Sequence, residues 1–262
     1  ETVTVHVWER RDSSEYTERQ TKVERRMNPQ RDKLKRNLDE VRQRIDRATQ
    51  ASGRASDAVR LVAVTKQVDE SVASDLVELG VNDLGENRPQ ELWRKQQLVR
   101  GPVRWHLVGT LQKNKARRTL PLVHLIHSVD SAAILTRLDE LAGELDLHPE
   151  VLLEVNTSGE ATKHGFGADE VIGVIAGSAG LARVQIRGLM TMAPYDDDPD
   201  RARPFFATLR QLRDRLTSQA PPNCRLTELS MGMSGDFEAA IAEGATIVRI
   251  GSALFEGIKE PA

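Results

Sequence analysis

Leu61-Val62-Ala63-Val64-Thr65-Lys66 is a short, unbroken apolar run that stops at a lysine. A continuous run of this length reads as a parallel strand buried on both faces. Such a strand meets a charged residue only where it emerges, at a sheet edge or the mouth of a barrel. An ammonium placed there and half wrapped in apolar surface would lose hydration, which lowers its pKa toward neutrality. A neutral amine is a nucleophile that forms a Schiff base with an aldehyde. The plainer reading is a solvated lysine on the rim, and the run alone leaves both open.

Working outward from this run, the chain alternates. Strand-like segments fall at 61–65, 81–84, 104–109, 123–129, 150–155, 184–191, 227–231 and 246–250. Helical patterns lie between them near 69–79, 87–99, 112–119, 131–145, 168–179, 200–218 and 236–243. Leu34, Leu38, Val41 and Ile45 recur at spacings of three and four, predicting a further amphipathic helix that ends near Ser52-Gly53. Eight short strands interleaved with single helices predict an α/β fold, a single (β/α)8 barrel of the TIM type. An open doubly wound sheet is the alternative, although no Gly-x-Gly-x-x-Gly follows the first strand. One domain is expected over residues 29–262. Residues 1–28, dense in both signs of charge after an alternating start, read as an appendage outside the core, an edge strand or a mobile arm.

Composition narrows the classes. The 262 residues are 39% hydrophobic and 29% charged, with a formal net charge of −2. That balance gives no field to attract nucleic acid or an anionic membrane surface. The single cysteine, Cys224, excludes an intrachain disulfide and points to a reducing compartment. With no membrane-length apolar run and no signal-peptide core, a cytoplasmic protein is expected.

In a barrel of this kind function concentrates where strands meet the following loops, and the polar residues cluster there. Leu229-Ser230-Met231-Gly232-Met233-Ser234-Gly235-Asp236 precedes a helix start, so its serines and freely oriented backbone N–H groups suit a phosphate dianion. Ser234 as a simple helix cap, worth about 1 kcal/mol, is the plainer reading; glycines on both sides of Met233-Ser234 argue for more. The last strand ends in Arg249-Ile250-Gly251-Ser252, where Gly251 and Ser252 add two N–H groups and a hydroxyl. Alternation turns Arg249 inward. A buried unpaired charge is prohibitive, so an inward arginine needs a partner, and a pyridine nitrogen is one that accepts a hydrogen bond without gaining a proton. Met190, Met192, Met231 and Met233 read as pocket packing. Asp196-Asp197-Asp198 before Pro199 reads as a loop and cap rather than a metal site.

Taken together, Val64-Thr65-Lys66, Gly85-Glu86-Asn87, Trp105-His106 with Leu111-Gln112-x-Asn114-Lys115, His127-Ser128-Val129-Asp130, Lys163-His164-Gly165-Phe166, Gly188-Leu189-Met190 and Leu229 to Ser234 resemble the pyridoxal phosphate homeostasis proteins, the YggS or PROSC family. The resemblance spans roughly residues 31 to 258. It implies a barrel like the N-terminal domain of alanine racemase, fold type III of the pyridoxal 5'-phosphate (PLP) proteins. By motif position it makes Lys66 the Schiff-base lysine, with Ser230, Ser234, Gly251 and Ser252 at the phosphate. It sets Arg249 at the pyridine nitrogen, Asn87 beside the ring and Met233 at the pocket. Ser252 stands where Thr is usual and Thr65 where Ser is usual, and both keep their hydroxyls.

The resemblance also implies a cofactor holder, monomeric, that buffers or delivers PLP to apo-enzyme clients. Arginine cannot hand a proton to the ring, and the tyrosine that alanine racemases bring from a second domain has no counterpart in the motifs around Tyr16 or Tyr195. A racemase remains the alternative and would need Asn156, His164 or His106 as its second base. A Schiff-base aldolase or phosphosugar-binding barrel that uses Lys66 without cofactor is a third class.

Overall fold

The apolar runs of the sequence become eight parallel strands closed into a barrel, in a computed structural model that describes residues 29–160 and 164–258. In chain order the elements begin with α1 (Pro29–Ala51), β1 (Arg60–Val64), α2 (Glu70–Glu78), β2 (Asp83–Glu86), α3 (Pro89–Leu98) and β3 (Arg104–Leu107). There follow α4 (Lys113–Thr119), β4 (Leu125–Val129), α5 (Ala132–Leu145), β5 (Glu150–Glu154) and α6 (Ala168–Gly177). The chain closes with β6 (Gln185–Met190), α7 (Arg203–Thr217), β7 (Cys224–Ser230), α8 (Phe237–Ala242) and β8 (Ile247–Ile250). Each strand pairs in parallel with the next, and β8 returns to β1 with Arg60 opposite Ile247 and Ala63 opposite Ile250. The doubly wound alternative is thereby excluded.

Local chemistry accounts for the element ends. Asp69 caps α2 by accepting from the N–H groups of Ser71 and Val72, at 2.9 and 3.0 Å, which supplies acceptors the first turn lacks. Asp146, the one non-glycine residue with a left-handed φ (53°) among those described, ends α5. α1 lays Leu34, Leu38, Val41 and Ile45 into the core, as their spacing predicts. Asn37 on the same helix donates to the carbonyls of Leu254 and Glu256, tying the helix to the last turns of the chain.

Two apolar layers result. The large one lies between the strands and the outer helices. A small one, Val62, Leu125, Leu152, Met190 and Ile247, fills the barrel interior. Strand alternation puts His106, His127, Ser230 and Arg249 on the inward side as well, and all four are buried. The interior is therefore half apolar and half a polar network.

Several strand boundaries shift: β4 begins at Leu125 rather than 123, and β7 runs Cys224–Ser230 rather than 227–231. β2 runs Asp83–Glu86 rather than 81–84, because α2 ends in a turn at Gly80 (φ +82°) and Val81-Asn82 are used in reaching the sheet. Gly85 and Glu86 thus belong to the strand and not to the loop after it. β3 stops at Leu107, two residues short of the predicted end. Residues 1–28, the expected appendage, lie outside the described residues, as do Lys163 and Tyr16.

Candidate cofactor site

The carboxyl ends of the strands bring most of the singled-out residues to one mouth. Lys66 sits in the turn after β1 and is exposed, in keeping with the plainer of its two readings, a solvated lysine on the rim, and not with an ammonium half wrapped in apolar surface. β1 ends at Val64, and Thr65 takes the last buried position, so Lys66 already stands clear of the barrel wall. What holds its backbone is a buried ion pair beneath it. Lys95 Nζ donates at 2.6 Å to both the Thr65 carbonyl and Glu86 Oε1, and Thr65 Oγ1 donates to the same carboxylate oxygen at 2.6 Å.

Asn87 follows β2 and is half-buried, with Gly109 pressed against its backbone: a Cβ at Gly109 would lie 2.2 Å from the Asn87 carbonyl oxygen.

Beside β1 at the same mouth, Ser234 Oγ accepts from the backbone N–H groups of Gly251 (3.3 Å) and Ala253 (3.2 Å). The hydroxyl is itself the acceptor of both amides, so one hydroxyl and two backbone N–H groups are gathered at one point. The second amide is that of Ala253 and not Ser252, whose own side chain is exposed. A Cβ at Gly251 would lie 3.1 Å from the Val64 carbonyl, so this loop runs close along β1. Asp236 Oδ1 accepts from Met233 N at 2.6 Å and closes the turn before α8. That helix has six residues, so its dipole is small. Gly232 has a structural reason of its own, since at φ +91° a Cβ there would meet Ala240 Cβ at 2.6 Å. The glycines around Met233-Ser234 are accordingly weaker evidence for phosphate than the spacing implied. Met233 and Met192 stand exposed at the rim, whereas Met190 and Met231 pack in the interior.

Arg249 forms the floor. Its Nη1 donates to Ser230 Oγ at 2.7 Å and its Nη2 to the Thr191 carbonyl at 2.9 Å. Burial lowers the guanidinium pKa to about 10, while Glu154 and Asp236 act to raise it; it stays cationic at neutral pH. Ser230 is fully buried, and its hydroxyl also meets His127 Nδ1 at 2.8 Å. It therefore serves Arg249 inside the barrel and lies below the Ser234 cradle, a different place from the one the loop sequence suggested.

The residues a second-base reading would require are otherwise engaged. His106 is buried in the interior. Asn156 organises its own turn, accepting from Ser158 Oγ and Gly159 N. His164 is exposed, 3.7 Å from Asp130, and Tyr195 is 91% exposed, donating to Asp197. Asp198 accepts from Asp200 N at 3.1 Å and caps a turn, as read from the sequence. On α4, Arg117 pairs with Glu144 and Arg118 stacks over Trp93 at 4.3 Å. No helix among the described residues is long and apolar enough to cross a membrane. The sequence reading missed Thr191, Ala253 and Glu154, because a backbone carbonyl, a backbone amide and a barrel-wall carboxylate carry no motif.

A closed eight-stranded barrel with a strand-end lysine, the Ser234 cradle after β7 and β8 and an arginine on its floor defines a class, and the model of the alanine racemase N-terminal domain matches residues 31–258. Alanine racemase of Clostridium difficile shares that fold at a TM-score of 0.69 and 16% identity, covering 86% of this chain and 59% of that one. Within the class, the pyridoxal phosphate homeostasis protein of Aquifex aeolicus is 39% identical over 83% of this chain and 95% of its own. That of Pseudomonas aeruginosa is 40% identical over 84% and 93%. PipY of Synechococcus elongatus, solved with PLP bound, superposes at a TM-score of 0.75 with 37% identity over 85% of this chain and 99% of that one. The chain belongs to the pyridoxal phosphate homeostasis protein family.

Proposed function

We propose that this chain binds PLP at the carboxyl mouth of its barrel and serves intracellular PLP homeostasis, holding the cofactor and passing it to apo-enzyme clients without strong catalysis of its own. The observation that carries the reading is Arg249, a cation on the barrel floor anchored at two points, facing a mouth that also holds a lysine and the Ser234 cradle. The donor set fits PLP: Ser234 with the Gly251 and Ala253 amides for the phosphate, Lys66 for the aldehyde, and Arg249 for the ring nitrogen. Asn87, Met233 and Ser252 line the same mouth, and Ser230 acts through Arg249.

When bound, the cofactor supplies an aldehyde for a Schiff base with Lys66 and a ring whose power as an electron sink depends on protonation of its nitrogen. Arg249 donates a hydrogen bond and keeps its proton, since burial lowers its pKa only to about 10. A ring left unprotonated stabilises a carbanion weakly, which suits storage better than racemisation. Residues 29–262 form the binding unit in this reading, a monomer working in the cytoplasm, and residues 1–28 an appendage to it.

Borohydride reduction of the PLP-loaded protein followed by peptide mass spectrometry tests the site, with a reduced adduct expected on Lys66 alone. An adduct on another lysine rejects it. Exchange of the amino-acid α-proton in deuterated water tests the role. Turnover in the ordinary enzyme range of about 1–10³ per second would overturn the carrier reading in favour of a racemase.

A further inference from the structure

A line of five side chains crosses the barrel from Asp83 at the amino end of β2 to Arg249 on β8. Asp83 Oδ1 meets His106 Nε2 at 2.9 Å, and His106 Nδ1 meets His127 Nε2 at 2.9 Å. His127 Nδ1 meets Ser230 Oγ at 2.8 Å, and Ser230 Oγ meets Arg249 Nη1 at 2.7 Å. Asp83, His106, His127, Ser230 and Arg249 are all at least nine-tenths buried.

Burial lowers the pKa of both rings and so favours neutral imidazoles, and with these the two ends dictate the sense of every bond between them. An ionised carboxylate only accepts and a guanidinium only donates. With Asp83 accepting, His106 must carry its proton on Nε2, which leaves Nδ1 as an acceptor. His127 then donates from Nε2 and accepts at Nδ1, so the Ser230 hydroxyl proton points to His127. The Ser230 lone pair is left facing Arg249. With neutral imidazoles this is the one arrangement that satisfies all five groups; a protonated His106 would reverse the two bonds beyond it. Asp83 is secured as an anion by Arg104, whose Nε donates to it at 2.8 Å.

We propose that Asp83, His106, His127 and Ser230 form a one-way hydrogen-bond chain that positions Arg249 toward the cofactor ring. The inference rests on the PLP-binding reading above. Two of the five guanidinium N–H groups are committed, to Ser230 and to the Thr191 carbonyl, and these fix the plane of the group. A guanidinium held in one plane offers its remaining donors in one direction. That selects a ligand with an acceptor at that point, an unprotonated ring nitrogen, and disfavours a pyridinium, whose N–H would face a donor. Ser230 and the histidines are positioning residues in this scheme, and Asp83 sets their polarity from the far end of the barrel.

The histidine ring nitrogens of the ligand-free, uniformly 15N-labelled protein report the chain directly. At pH 7.5 both His106 and His127 are expected as neutral Nε2–H tautomers, and Asp83→Asn, which replaces the acceptor-only end, is expected to bring in the Nδ1–H form at both rings. PLP titration gives a second readout: Ser230→Ala is expected to bind about tenfold or more weaker, in line with loss of a hydrogen bond to a charged group, and to shift the visible band of the bound cofactor. Ser230→Thr, which keeps the hydroxyl, is expected to restore both. A charged or Nδ1–H His127 in the wild-type protein overturns the proposal, as does an Asp83→Asn variant with unchanged tautomers. Wild-type affinity and band position in Ser230→Ala overturn it too. Failure of the wild-type chain to take up PLP would instead reject the functional reading, while the ligand-free nitrogen spectra still judge the chain.

Discussion

Lys95 and Glu86 form an ion pair at 2.6 Å with both side chains withdrawn from water, directly beneath the turn that carries Lys66. Desolvating two charges is costly, and only good geometry with further hydrogen bonds offsets it. Here Lys95 also holds the Thr65 carbonyl, and Thr65 Oγ1 holds the carboxylate. Glu86 Oε2 is the one buried side-chain nitrogen or oxygen among the described residues with no hydrogen-bond partner.

Removing one partner therefore strands the other. Lys95→Met is expected to destabilise the protein by about 3–5 kcal/mol, the usual cost of an uncompensated buried charge. The double variant Lys95→Met with Glu86→Leu is expected to recover much of that loss. Chemical denaturation of the single and double variants measures both, and equal stabilities for the two would contradict the pairing.

Lys66 itself supports nothing in the core. Its exposed side chain leads us to expect that Lys66→Ala changes stability by less than about 0.5 kcal/mol, while covalent attachment of PLP disappears. Thermal unfolding and borohydride trapping, run on one preparation, separate the two effects.

Gly109 is constrained by contact rather than by φ. The Cβ of Gly109→Ala would fall 2.2 Å from the Asn87 carbonyl oxygen, and backbone cannot yield as a flexible side chain does. Overpacking of this kind costs about 1–3 kcal/mol, and the displaced segment is the one carrying Asn87. We expect lower stability and faster loss of PLP on dialysis, whereas Gly143→Ala, with open space around its Cβ on α5, is expected to leave PLP retention unchanged and to stabilise by about 0.5–1 kcal/mol through helix propensity.

The interior histidines make stability depend on pH with a definite sign. Burial lowers the pKa of both His106 and His127 and, for His127, the neighbouring His106 and Arg249 add to it. In the unfolded chain both titrate near about 6.5. Below that pH the unfolded state binds protons the folded state refuses, so stability falls as pH drops. Each histidine adds a slope of up to about 1.4 kcal/mol per pH unit. Denaturation midpoints from pH 8 to pH 5 are expected to fall below pH 6.5, and His127→Gln is expected to flatten that fall. Stability that rises on acidification would contradict the neutral assignment. Asp83 works in the same direction at lower pH. Burial raises its carboxyl, but the hydrogen bonds from His106 and Arg104 more than reverse this, so its contribution is lost only as pH falls below the ordinary carboxylate range.

Cys224, buried at the start of β7, has its thiol pushed up to about 11 by burial. Native protein is expected to react with an aromatic disulfide reagent far more slowly than protein in denaturant, since the thiolate is the reactive form. Equal rates would mean that the start of β7 opens readily.

Much of the barrel is legible one residue at a time. Val62, Ala63 and Val64 are apolar because both faces of β1 are covered, and runs of that kind recur at intervals one helix long. The spacing of Leu34, Leu38, Val41 and Ile45 likewise sets the buried face of α1. Lys66, Ser234, Arg249 and Gly251 also stand out in the sequence, because each breaks a local pattern at or after a strand end. The shifted start of β2 was not legible, since it depends on how far the turn at Gly80 carries the chain before it reaches its neighbour.

The alternation of short apolar runs with helical patterns was enough by itself to determine an α/β fold of parallel strands, because it follows from patterns that act within one segment, whereas closure into a barrel rather than an open sheet was decided by the pairing of β8 with β1. Only the tertiary structure decided that Lys66 stands in water, that Ser230 serves Arg249 rather than the Ser234 cradle, and that Asp83 reaches Arg249 through two histidines. These depend on which of two faces a side chain takes and on what four other strands place within 3 Å of it. Asp83 and Arg249 are far apart in sequence, and only closure of the sheet puts them in one hydrogen-bonded line.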